Sequence, residues 1–231
     1  MRCVKAIFVK QAKDMLKNPM VLVMFIIFPL VAFIMTQLVA LQEDDIPNNM
    51  FVTMMAAVFS GMGLISAAAG YIAEDIERKS LRFMVMAGVK PFQYLCGTGG
   101  FLLFAGTVTS VLFSLIGDFT FNETINFLIV MVAGTAASIV LGTTIGMISK
   151  NQQAATSLGM PIAMLLGFAP MIANFNETVK KAAAIMYTQQ INVVVNDLEA
   201  GLLKPLLVIA INIAVFAVLF VIVYKKKGLQ V

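Results

Sequence analysis

Between Glu74 and Arg82 nine residues carry six charges: Glu74, Asp75, Glu77, Arg78, Lys79 and Arg82, in a chain where only 12% of residues are charged. Acids and bases interleaved this densely suit ion pairing with a soluble partner or with lipid headgroups. A short apolar stretch follows, Leu81 to Ala87, and then Gly88 and Pro91. Ser80 can cap the start of a helix there, Gly88 can end it in a left-handed turn, and Pro91 suits the first turn of the next. Leu81 to Ala87 would make about two turns, roughly 10 Å.

Other chemistry is sparse. The chain has no histidine, and no GxxxxGK[ST] phosphate loop occurs in it, so it is not expected to bind or hydrolyse ATP in that way. Hydroxyls such as Thr143, Thr144 and Ser157 have no base nearby in the sequence, and enzymatic activity is not expected. Cys3 and Cys96 are the only cysteines. Two thiols without histidine make a poor metal site, and they read as reduced and unpaired. "FNET" occurs at 121–124 and again at 175–178, formally a glycosylation acceptor but commoner as a helix cap.

The elements that must position the charged stretch follow from composition. Hydrophobic residues make up 60% of the chain and mean hydropathy is +0.94. A soluble fold of this size has too few polar residues to cover its surface. A hydrocarbon core of about 30 Å requires about 20 apolar residues per helix. Six stretches qualify, 20–41, 50–73, 93–116, 125–148, 153–173 and 205–224, none with a charge in its interior. Pro161 and Pro170 fall in the fifth, where a kink or break is expected. The first apolar run lacks a small-residue cleavage site, so no removable leader is expected. Inside the spans, "GTTIG" at 142–146 places Gly142 and Gly146 at the spacing that lets two helices approach closely.

Charge then orients the spans. Of the 16 Lys and Arg, 13 fall in the N-terminal segment, the second and fourth connections and the tail. The opposite connections hold three bases against eight acids, among them Glu43, Asp44 and Asp45. The positive-inside rule places both termini and the 74–92 segment in the cytoplasm. The overall charge of +4 is thereby assigned to headgroups and cytoplasm, with no nucleic-acid partner. Residues 1–18 read as a cationic amphipathic helix on the membrane surface, with Asn18 and Pro19 able to start the next helix. Residues 174–204, too polar to span and too apolar for a free loop, read as short helices dipping into or lying on the outer leaflet.

This organisation resembles the permease subunits of ABC type-2 transporters. The residues carrying the resemblance are "SAAAGYIAEDIERKSLRFMVMAGVKPFQYLCG" at 66–97, in which a small-residue span runs into an acidic-basic patch, a Ser-Leu pair, a short helix and a Pro-containing turn. "KNP" at 17–19, Pro29 and "YKKKG" at 224–228 add to it. Lys79 departs from the pattern, standing where many relatives have Gly, and the outer loops are short apart from the last.

The resemblance implies an all-α membrane half-transporter that pairs with a second copy or a related permease. It implies docking of a separate ABC ATPase, which would carry ATP and Mg, with no cofactor in this chain. The helix after Ser80 would be the coupling element. Glu74, Glu77, Arg78, Lys79, Ser80, Leu81, Arg82, Phe83, Met84 and Met86 would form the coupling site, with Phe83 and Met84 or Met86 filling an apolar pocket and Arg78, Lys79 and Arg82 pairing with acids. The expectation is an exporter in the bacterial plasma membrane, for an amphipathic peptide, a lipid-like molecule or a hydrophobic drug. An ion-coupled secondary transporter and a non-transporting scaffold or sensor remain open at this level.

Overall fold

A computed structural model describes residues 2–17, 19–40, 49–198 and 201–227. The acids Glu43, Asp44 and Asp45 and the cap Asn18 lie outside the described residues, as do the side chains of Arg82 and Lys225 to Lys227.

Among the described residues every regular element is helical. The first, α1 (Arg2–Lys17), is amphipathic in three dimensions: Ile7 and Gln11 are buried, while Lys5, Lys13, Leu16 and Lys17 are exposed. Phe8 packs edge-on against Phe101. Next, α2 (Pro19–Met35) continues as a π-helical turn, Thr36–Ala40. A second rod is built from α3 (Met50–Val58), a π-helical turn Phe59–Gly63, and α4 (Leu64–Glu77). The short α5 (Ser80–Met86) precedes three long helices, α6 (Pro91–Ile116), α7 (Phe121–Ile148) and α8 (Gln152–Ala173). Two short helices, α9 (Glu177–Ala183) and α10 (Tyr187–Asn196), lead to α11 (Leu203–Lys227).

Among the described residues six rods are long and apolar enough to cross a bilayer, and the molecule is an all-helical, multi-pass membrane protein. The rod Met50–Glu77 is its centre: 72% of its most apolar window is buried, against 11% for Leu203–Val223. The second rod meets α7 through small residues. A methyl at Gly142 would lie 2.6 Å from the Ile65 carbonyl oxygen, and one at Gly146 would lie 2.6 Å from Ile72 Cβ and 2.7 Å from the Ala69 carbonyl oxygen. Only hydrogen fits there, so the backbones pack directly. In α8 the helix runs unbroken through Pro161 and Pro170. Each proline removes one backbone bond, which the flanking turns can tolerate.

The described residues 174–198 fold back into the bundle. Tyr187 reaches Ser138, with 2.9 Å between the hydroxyls; Ile191 fills the space at Gly134; and Asn126 Nδ2 donates to the Leu198 carbonyl at 2.8 Å. These contacts run α10 antiparallel along α7. Ser138 lies ten residues, about 15 Å, from the end of α7 at Ile148, half the depth of a hydrocarbon core. There Ser138 Oγ donates to the Ser60 carbonyl at 2.6 Å, an acceptor in the π-helical turn.

Candidate coupling site

The charged stretch forms the end of α4, a two-residue elbow and the start of α5. Lys79 makes the elbow with φ 58°, in the left-handed region, where a Cβ crowds the following carbonyl. Gly88 does the same at the far end of α5 with φ 80°, at no steric cost. Gln93 Oε1 then accepts from the Lys90 N–H at 3.0 Å and seats the start of α6.

The charges separate into distinct roles. Glu74 pairs with Arg78 at 2.8 Å, one helical turn apart. Glu77 Oε2 accepts from the Gln152 N–H at 3.0 Å, a carboxylate at the positive end of α8. Arg78 and Lys79 are exposed. On α5, Leu81 is 7% exposed and packs with Ile7, Ile72, Tyr94, Met147 and Phe220, while Met84 leans on the same cluster. Phe83 and Met86 face outward, 67% and 74% exposed. Thus α5 has an inner face that anchors it and an outer face of two large apolar side chains beside two exposed cations.

Asp75, absent from the sequence-derived site, sits at its centre. It is 4% exposed, and four donors meet its carboxylate. Lys10 Nζ and Ser80 Oγ each reach Oδ1 at 2.6 Å; the Tyr94 hydroxyl reaches Oδ2 at 2.7 Å and Gln11 Nε2 reaches it at 3.1 Å. That is two donors per oxygen, which fills its accepting capacity. The donors belong to α1, α5 and α6, so one buried acid joins four helices. Lys10 also pairs with Asp14 at 3.3 Å. Burial alone would lower the pKa of Lys10, but its hydrogen bond to Asp75 and the charges of Asp75 and Asp14 outweigh this and raise it.

Placing the second span at 50–73 put Asp75 outside the membrane rod, whereas the helix continues to Glu77. A signal was present. Leu64, Ala68, Tyr71, Ile72 and Asp75 follow i, i+4, i+7, i+8, i+11 spacing, so Asp75 prolongs the buried face.

The family described as ABC-2 family transporter protein matches residues 34–225, well over half of the chain. The chain belongs to the ABC-2 transporter family. No curated protein matches it. As an ABC-2 permease it is the non-catalytic transmembrane component of an ABC transporter. That membership implies an ATPase partner and a usually dimeric arrangement.

Proposed function

We propose that this ABC-2 permease is half of an ATP-driven exporter in a bacterial plasma membrane. Two copies, or this chain and a related permease, form the pathway, and each docks an ATPase that binds ATP and Mg. The termini and α5 face the cytoplasm, in keeping with the 13 basic residues on that side. The observation that carries the reading is α5: an amphipathic two-turn helix anchored by Leu81, presenting Phe83 and Met86 outward beside Arg78 and Lys79. Large exposed apolar side chains flanked by cations fit a cleft with an apolar floor and an acidic rim. Spans that are apolar, carry scattered hydroxyls and hold no charge in the interior of the six stretches favour an amphipathic peptide, a lipid-like molecule or a hydrophobic drug as cargo.

The test is Phe83→Asp. A charge in an apolar cleft costs several kcal/mol, so the variant is expected to insert normally and lose the ATPase on co-purification. Retention of the ATPase with unchanged ATP turnover overturns the role of α5.

A further inference from the structure

The four-donor carboxylate is an unusual investment for a helix end. An acid in the last turn of α4 opposes the helix dipole, and a buried charge is costly unless fully paired. Asp75 therefore adds nothing to α4 by itself. Its bonds run outward, to Lys10 and Gln11 of α1, to Tyr94 of α6, and to Ser80, the first residue of α5. Gln11 extends the junction to Thr98 Oγ1 at 3.2 Å.

Between Asp75 and Ser80 lies Lys79 in its left-handed conformation. A lysine there has no intrinsic preference for φ 58°, so the elbow does not hold its own angle. The 2.6 Å bond from Ser80 Oγ to Asp75 Oδ1 spans the elbow and fixes the first residue of α5 to the end of α4. Leu81 and Met84 then settle into the apolar cluster.

We infer that Asp75 is a positioning residue of the coupling site: through Ser80 it sets the angle of α5 across the Lys79 elbow, and through Lys10, Gln11 and Tyr94 it ties that angle to α1 and α6. It acts from inside the membrane domain and does not touch the ATPase. The inference rests on the docking role of α5 proposed above. It adds that the pose of α5, as distinct from its docking face, governs whether ATPase movement reaches the spans.

The permease–ATPase complex in lipid nanodiscs separates the two ideas, with the docking Kd and the ATP turnover of the complex relative to the free ATPase as readouts. Ser80→Ala leaves the outer face of α5 intact, so Kd should stay within about twofold while the turnover ratio changes by about fivefold or more. Ser80→Thr keeps the hydroxyl and should restore the ratio. If Ser80 acts through the carboxylate, Asp75→Asn with Ser80→Ala should be no worse than Asp75→Asn alone. A wild-type ratio in Ser80→Ala overturns the inference. So does a parallel loss of docking, turnover and thermal stability, which marks a purely structural contact. Phe83→Asp serves as the reference for lost docking. If the wild-type chain binds no ATPase, the docking reading fails and this inference falls with it.

Discussion

Lys79 shows how a single backbone angle can carry meaning. Its φ of 58° costs roughly 1–2 kcal/mol for a residue with a Cβ. Glycine pays no such steric cost, but it adds freedom to the unfolded chain. Lys79→Gly is expected to hold or raise stability by up to about 1 kcal/mol, and Lys79→Val to lower it, because a β-branched residue tolerates the left-handed region worst. Thermal unfolding in detergent reads both. Lys10 gives a pH signature whose sign follows from its raised pKa. The folded state favours the charged lysine, so its contribution is complete below the ordinary value of about 10.4 and fades as pH climbs through the higher folded value. The gap in unfolding temperature between wild type and Lys10→Met should be flat from about pH 7 to 10 and narrow above that.

At the scale of elements, the contact between α4 and α7 depends on what is missing from Gly142 and Gly146. A side chain at Gly146 meets the Ala69 carbonyl at 2.7 Å, and backbone cannot swing aside as a flexible side chain can. Gly146→Leu should cost about 1–3 kcal/mol or prevent assembly. Gly100, in the middle of α6, has nothing within 4 Å of a built Cβ. Gly100→Ala should be neutral or stabilising by up to about 1 kcal/mol. Unfolding temperatures that fall equally in both variants would show that α4 and α7 do not depend on direct backbone contact. The π-helical turn Phe59–Gly63 belongs to this scale too: its Ser60 carbonyl is met by Ser138, which in turn bonds Tyr187 at the deep end of α10. Polar sequence in 174–204 thus serves a buried position about halfway through the membrane.

For the whole molecule, the testable quantity is orientation. Cys3 is exposed on α1 and Cys96 is only half-buried, so Cys96→Ser leaves Cys3 as the single reporter. With the termini cytoplasmic, a membrane-impermeant maleimide added to intact spheroplasts should spare Cys3 and modify it after lysis. Phe121→Cys, at the exposed start of α7, placed in a background with Cys3 and Cys96 replaced by Ser, should label without lysis. Labelling of Cys3 in intact cells inverts the topology and moves α5 away from any cytoplasmic ATPase.

The order of long apolar runs and charged connections already determined the six rods and the helical class, because a bilayer demands length and apolarity that composition displays directly. The short α5, its Gly88 end and the Pro91 start of α6 were legible because Gly and Pro act locally; Ser80, expected as the cap, is instead the first residue of α5, and its hydroxyl donates to Asp75. Asp75 shows the limit. Its charge read as one more member of a surface patch, since its four donors come from residues 10, 11, 80 and 94 and only folding brings them together. The π-helical turns and the depth of Tyr187 were decided the same way, by packing between distant segments. Which charge faces a partner and which is buried as a junction depends on neighbours that sequence distance conceals, and that choice belongs to the tertiary structure.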